Sequence, residues 1–406
     1  MNPKREAALQ IMKRLEEAGF ESYLVGGCVR DFVLKRPPQD YDVATNALPH
    51  KVQSLFPRTV PTGIKHGTVT VIHQGIPIEV TTFRTESDYE DYRHPSHVEF
   101  VSSLEQDLSR RDFTMNAMAQ DRQGKLYDYY GGLQDIQAKR IRTVGSPFDR
   151  FEEDPLRMVR AARFAAQLQF ALDPKVKEAM AKLNDKCIHL SVERVVAELE
   201  KVWASPATSR GIALLYECGL INYLPPFAAW QVQTPTQAQI GKFDQIPDRI
   251  GCWAYLVYLC TGGKKDIQHH LRQLRLANHD VKAIKACYQL ALDWPYSLTE
   301  DEGKKLLLRH GLETGLRAVQ LARILDKPLS ASLEQDLTSW WNEMPAKSLK
   351  DLAISGQDLI QYQQQPAGPW IKKTLEYLLE KVALGNIPNQ KECLLKEGCK
   401  VGAEYS

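Results

Sequence analysis

Along the first 145 residues the apolar positions change their spacing repeatedly. From Pro3 to Ala18 they recur every three to four residues, the period of an amphipathic helix. Ser22–Gly27 is a short apolar run and predicts a strand, and Val29–Lys35 predicts a short helix. Asp40–Thr45 reads as a strand and Pro49–Phe56 as a helix. In GTVTVIHQGIPIEVTTFR, two β-branched runs flank Gln74-Gly75, which predicts a hairpin. A helix is expected at Ser103–Arg111. FTMNAMAQD (Phe113–Asp121) and KLYDYY (Lys125–Tyr130) read as strands. After about Gly145 the strand signals stop. EEDPLRMVRAARFAAQLQF, from Glu152, opens a helical pattern that continues to the C-terminus, punctuated by Pro and Gly near YLPPF and QQPAGPW. The expected fold class is α+β: a head with a small mixed sheet, then an all-helical body and tail.

Composition narrows this picture only slightly. The chain has 406 residues, 43% hydrophobic and 25% charged, which is ordinary for a soluble globular protein. A net charge of +2 excludes a uniform basic coat, so any nucleic-acid surface must be local. None of the eight cysteines forms a C-x-x-C pair, and several lie on apolar helical stretches, a usage that fits a reducing cytoplasm. The N-terminal segment carries too many charges for a secretory signal. No apolar run approaches the ~20 residues of a membrane span.

The chemistry begins at YLVGGCVRDFVLKRPPQDYDVAT. Residues i and i+2 of a strand face the same way, so Asp40 and Asp42 aim at one spot. A divalent cation relieves their repulsion, and Mg²⁺ characteristically takes one or two carboxylates plus substrate phosphate. Alone, D-x-D also fits a polar edge strand. Upstream, Gly26 and Gly27 let backbone approach a ligand, the next helix start offers free N–H groups, and Arg30 adds positive charge. Neither a Walker loop nor a Rossmann fingerprint is present. Glu79, between Ile78 and Val80, is a candidate third carboxylate or an ordinary exposed strand acid. In EDPLRMVRAARF, Asp154, Arg157, Arg160 and Arg163 recur every three residues along one winding helix stripe, with Met158, Val159, Ala162 and Phe164 left to pack. That stripe is either a solvated face with an Asp154–Arg157 pair or part of a binding pocket.

L-V-G-G-x-V-R-D followed by D-x-D resembles the head of the tRNA nucleotidyltransferase and bacterial poly(A) polymerase family, in its second class. The resemblance continues through RRDFTMNAMA (Arg110–Ala119), EEDPLRMVRAARF and SVERVVAELEKV (Ser191–Val202). It returns in ISGQDLIQYQQQPAGPWIKKTLEYLLEKVALGNIPNQ, which looks like the tail of the CCA-adding enzymes of low-GC Gram-positive bacteria. It implies four regions: a catalytic head at 1–145, a nucleotide-recognising neck at 146–225, a helical body at 226–345 and a tRNA-binding tail at 346–406. It implies template-independent addition of CCA to the tRNA 3′ end from CTP and ATP. Asp40 and Asp42 would hold Mg²⁺, and Glu79 would complete the catalytic set. Gly27 and Arg30 would position the triphosphate, and Arg111 would contact the nucleotide, supported by Arg110 and Asp112. Asp154 and Arg157 would read the base edge, while Arg160 and Arg163 would line the nucleotide pocket or hold phosphate. The partners implied are the tRNA acceptor region, CTP and ATP, with no membrane; helical tails of relatives often dimerise, which admits a homodimer.

The shared head motifs do not separate this activity from that of a poly(A) polymerase, or of a CC-only or A-only enzyme. FRTESDYEDYRHPSHVEF (Phe83–Phe100) reads as a long mobile loop. By the resemblance, a loop here accompanies full CCA addition. HHLRQLRLANHD lacks the H…HD…D spacing of a metal-dependent phosphohydrolase, because His269 and His270 are adjacent on one helix. Basic residues in GGKKDIQHHLRQLRL, GKKLLLRHGLETGLRA and WIKKTLEYLLEK fit either an RNA backbone or solvated helix faces.

Overall fold

A computed structural model describes residues 2–89, 95–230, 232–295 and 297–402. It separates into two compact units, Met1–Asp244 and Gln245–Ser406. The regions 1–145 and 146–225 both fall in the first unit, and 346–406 falls in the second.

The first unit is built on a seven-stranded sheet. Its strands are β1 (Ser22–Val25), β2 (Asp42–Thr45), β3 (Thr59–Gly63), β4 (Thr68–His73), β5 (Ile76–Thr82), β8 (Ala119–Gln120) and β9 (Leu126–Tyr127), in the order β3-β4-β5-β2-β1-β8-β9. Between β5 and β8 in the chain lie β6 (Arg84–Tyr89) and β7 (Pro95–Phe100), which pair only with each other. All neighbours in the large sheet are antiparallel except β2 and β5. The helices of the head are α1 (Pro3–Glu17), α2 (Gly27–Val33), α3 (Pro49–Leu55), α4 (Leu104–Ser109) and α5 (Gly132–Gln137). Helix α1 buries Ala7, Ala8, Ile11, Met12 and Leu15, the apolar stripe visible in the sequence. Five further helices follow in the same unit: α6 (Pro147–Glu153), α7 (Leu156–Leu168), α8 (Pro174–Lys182), α9 (Val192–Trp203) and α10 (Thr208–Glu217). Helix α7 packs against both α9 and α10 and is buried on almost every side.

Several expectations are corrected. Within the segment expected to be a loop, Arg84–Tyr89 and Pro95–Phe100 pair as the antiparallel strands β6 and β7; the rest of that expectation falls on residues 90–94, outside the described residues. An isolated ribbon needs no apolar alternation, so periodicity does not mark it. The strand at β2 starts at Asp42, not Asp40: its neighbour β1 ends at Val25, opposite Asp42, and then turns at Gly26. FTMNAMAQD contains a 3₁₀ turn at Thr114–Asn116 before the two residues of β8. There the Thr114 hydroxyl donates to Asp135 and the Asn116 amide to Asp112, local bonds that compete with a ladder. Strand β3 carries Pro61, which the sheet edge tolerates. A short parallel pair, Arg140–Ile141 with Ala171–Leu172, extends strand structure beyond Gly145.

Gly132, at the start of α5, lies against the 3₁₀ turn so closely that a Cβ there would stand 2.3 Å from the Thr114 carbonyl oxygen. Backbone cannot yield as a flexible side chain can. Gly132→Ala is therefore expected to cost roughly 1–3 kcal/mol, read as a lower melting temperature with no change in the motifs themselves.

The second unit is helical throughout its described residues. Its central helix, Arg249–Thr261, is buried on nearly every face and packs against Asn278–Leu292 and Leu312–Ile324. Arg249 clamps Asp280 with two bonds of 2.7 and 2.8 Å. Toward the C-terminus, Leu359, Trp370, Leu378, Val382 and Leu394 share a separate core. His269 and His270 lie together on the short helix Gln268–Gln273.

Candidate active site

One cavity of about 940 Å³ opens in the first unit where β1 ends, β2 begins and α7 starts. Gly27, Arg30, Asp40, Asp42, Arg111, Asp154, Arg157, Arg160 and Arg163 all line it. Glu79 does not, but it stands directly opposite Asp42 in the parallel β2–β5 register. Its neighbours Ile78 and Val80 are buried while Glu79 is exposed, as alternation predicts.

The carboxylates at the mouth are crowded. Asp42 is open to the cavity yet closely surrounded by protein. Burial first, then the charges of Glu79 and Asp40, push its pKa up to about 6 against the opposing pull of Arg111. Asp40, largely exposed, accepts a 2.7 Å bond from the Lys4 ammonium on α1. A surplus of negative charge with an amino group drawn to it is a donor set that fits a divalent cation. Cys28 also faces this region, but its thiol donates to the Val25 carbonyl and burial pushes it up to about 12, leaving a small apolar group.

Much of the remaining cavity lining is arginine. Gly26 has φ 74°, and a side chain there would meet the Arg111 guanidinium at 3.1 Å, so only glycine leaves Arg111 its place. Arg111 and Arg110 are both oriented by buried Asp107. Burial alone would raise the Asp107 pKa; Arg111 and Arg110 instead hold it below the usual carboxylate range. Arg30 is buried, bound to Asp31 at 2.8 Å and to the Asn116 side-chain oxygen at 2.9 Å. Arg160 donates to Asp112 at 2.8 and 2.6 Å. Burial pushes the Arg163 pKa down to about 10, with the Arg160 charge adding to the effect. Phe164 lies under this group, its ring centre 5.2, 5.6 and 3.9 Å from the guanidinium carbons of Arg30, Arg160 and Arg163.

The base-reading candidates are arranged differently from the single-stripe expectation. Asp154 is not on α7. It is extended (φ −146°, ψ 100°) between α6 and α7 because Pro155 disfavours helical geometry in the residue before it. Its carboxylate accepts from the Leu156 N–H at 3.0 Å and from Arg194 at 2.7 Å. Arg157 donates to Glu153 at 2.6 Å and to the Arg110 carbonyl at 3.3 Å.

Three regions match family models: residues 22–142 a poly A polymerase head domain, 169–231 a probable RNA and SrmB-binding site of polymerase A, and 244–397 a putative tRNA nucleotidyltransferase domain 2. The CCA-adding enzyme of Geobacillus sp. (strain WCH70) is 41% identical over 388 residues, covering 95% of each chain. That of Geobacillus kaustophilus is 41% identical over 392 residues, covering 97% of this chain and 96% of its own. The chain belongs to the CCA-adding enzymes. A crystal structure of the Bacillus stearothermophilus CCA-adding enzyme in complex with CTP superposes with a TM-score of 0.83 at 36% identity, covering 100% of this chain and 99% of that one. The mixed-sheet head and helical remainder expected from the sequence are thus those of the CCA-adding family.

Within this family frame, four side chains around the cavity escaped the motif reading. Asn116 joins Arg30 to Asp112, and Asp107 joins Arg110 to Arg111. Arg194 and Glu198 come from α9. Asp112 and Asn116 at i, i+4, and Arg194 and Glu198 at i, i+4, were the available signals: polar pairs one turn apart within otherwise apolar runs.

Proposed function

We propose that this chain adds and repairs the 3′-terminal CCA of tRNA, using CTP and ATP and releasing pyrophosphate. The observation that carries the reading is that one cavity is lined together by Asp40 and Asp42, by Arg30, Arg111, Arg160 and Arg163, and by Asp154 and Arg157. Asp40 and Asp42 would hold Mg²⁺, which when bound activates a ribose hydroxyl and neutralises triphosphate charge. Glu79, beside Asp42, adds negative charge that favours the cation. Gly27 and Arg30 orient the triphosphate, and Arg111 neutralises it. Asp154 accepts from an exocyclic amino group while Arg157 donates to the adjacent ring nitrogen. Cytosine and adenine share that amino–imine edge, whereas uracil and guanine present an oxo group there. Residues 1–145 carry catalysis and 146–225 nucleotide recognition in this reading. Residues 226–345 and 346–406 hold the tRNA acceptor region by shape and phosphate contact. The eight cysteines are all free, which accords with the cytoplasm, and a homodimer is checked by analytical ultracentrifugation.

The deciding assay supplies purified protein and Mg²⁺ with a tRNA lacking CCA and single or mixed nucleotides. Two C's followed by one A is the expected product. A ladder of A's marks a poly(A) polymerase, arrest after two C's a CC-only enzyme, and addition of A only to a CC end an A-only enzyme. Incorporation is also expected to fall as the pH drops through about 6, where Asp42 takes up a proton and loses its hold on the cation. Raising Mg²⁺ should move that limb to lower pH, because cation and proton compete for one carboxylate.

A further inference from the structure

Helix α9 brings Arg194 to the cavity wall and places Glu198 behind it, against the arginines of α7. Arg194 reaches Asp154, and Glu198, one turn later, reaches Arg163 at 3.1 Å and Arg160 at 3.8 Å, with Lys201 joining Glu198 at 3.0 Å. Glu198 is buried. We infer that Arg194 and Glu198 are positioning residues with separate tasks: Arg194 fixes the orientation of the Asp154 carboxylate and so sets base selectivity, while Glu198 fixes the Arg160 and Arg163 guanidinium groups and so sets triphosphate affinity. The inference rests on the reading of Asp154 as a base-edge acceptor.

The argument starts from the backbone. Asp154 sits in an extended link between two helices, so no helical turn restrains its side chain. One oxygen is held by the Leu156 N–H and the other by Arg194. Each carboxylate oxygen carries a second lone pair, and these remain for an incoming amino group. Without Arg194, one oxygen loses its anchor and the carboxylate turns about its Cβ–Cγ bond. An acceptor that can turn away no longer penalises an oxo group at the same position. Discrimination between CTP and UTP then falls, while the carboxylates of β2 and the arginines of α7 are untouched. Glu198 acts on the other half of the pocket. Arg160 and Arg163 carry like charge three residues apart on α7, with Phe164 against both. Asp112 is the hydrogen-bonded anchor of Arg160, and Glu198 supplies the facing charge, 3.1 Å from Arg163 and 3.8 Å from Arg160. Losing its charge loosens the guanidinium groups without altering what Asp154 accepts.

The test measures kcat and KM for CTP and for UTP on a tRNA lacking CCA, with the wild-type, Arg194→Met, Arg194→Lys and Glu198→Gln chains. Arg194→Met is expected to lower the CTP:UTP ratio of kcat/KM by about tenfold or more, with Arg194→Lys between it and the wild type. Glu198→Gln is expected to raise KM for both nucleotides several-fold with the ratio unchanged. A loss of folded protein lowers both kcat values together and leaves the ratio alone, so the ratio separates positioning from mere stability. The melting-temperature shifts produced by CTP and by UTP, taken in EDTA, read the same discrimination without turnover. A folded Arg194→Met chain that keeps the wild-type ratio, or a Glu198→Gln chain that changes it, overturns the inference. A wild-type chain that incorporates no CMP overturns the functional reading itself.

Discussion

Asp42→Asn is expected to lower CMP incorporation about a thousandfold and, in the same protein, to raise the melting temperature measured in EDTA. The activity loss follows from the carboxylate's place at the first residue of β2, opening into the cavity beside Glu79. Charge stabilisation by a held cation contributes several kcal/mol to such a transition state, and ~4 kcal/mol corresponds to three orders of magnitude. The stability gain has the opposite origin. Burial and the charges of Glu79 and Asp40 raise the Asp42 pKa from 3.8 to about 6, so its ionised form is disfavoured in the folded chain. A group whose folded pKa lies above its unfolded value adds stability below the unfolded value and loses it as the pH rises through the folded one. At pH 7.5 the wild type has lost that contribution and bears the unrelieved charge, and the asparagine variant does not. The gap in melting temperature should therefore be widest above pH 6 and close toward pH 4. Adding Mg²⁺ should raise the wild-type midpoint and leave the variant's unchanged. A variant that melts below the wild type at pH 7.5 in EDTA, or that incorporates CMP normally, contradicts this account.

What was legible in the sequence is what short-range physics determines. Gly26, Gly27, Arg30 and Asp42 lie within one strand–helix–strand unit, so spacing alone brings them together. The apolar stripes of α1 and α7 mark their buried faces directly. The three-residue charge repeat puts Asp154 on the helix with the arginines, but the restriction that Pro155 places on the residue before it outweighs that repeat. Pairings across long stretches of chain were beyond local reading. Nothing near Asp42 announces that Glu79 will lie in parallel register with it, since the crossover passes through α3, β3 and β4. The same holds for Lys4 at Asp40 and Arg194 at Asp154, separated by 36 and 40 residues. The β6–β7 hairpin was hidden for a different reason. A two-stranded ribbon leaves no alternating pattern, and its charged residues read as loop.

Asp112→Ala is expected to cost roughly 3 kcal/mol of stability and about a hundredfold in kcat/KM for CTP, because one carboxylate organises three parts of the site. Its first oxygen accepts from the Phe113 N–H at 2.8 Å and from Asn116 at 3.0 Å; its second takes both Arg160 donors. Asn116 in turn holds Arg30. Truncation leaves Arg160 with Glu198 at 3.8 Å as its remaining acidic neighbour of these two, and leaves the Asn116 amide without this acceptor. Breaking one side of a buried charge pair is costly because the other charge stays behind, and a misplacement of about 1 Å in a positioning group costs on the order of a hundredfold in rate. The pH dependence carries the sign of the cause. Burial would raise the Asp112 pKa, but Arg160 and Asn116 outweigh it and hold the group well below the usual carboxylate range. A depressed folded pKa contributes stability that is complete above the unfolded value and is lost as the pH falls toward the folded one. The difference in melting temperature between wild type and Asp112→Ala should thus be full at pH 7 and shrink below about pH 4. Asp112→Asn, which keeps an acceptor for the Phe113 and Asn116 donors but not the charge facing Arg160, should fall between them, and its loss should appear mainly in KM. Equal losses in both variants would place the effect in the neutral hydrogen bonds and not in the Arg160 pair.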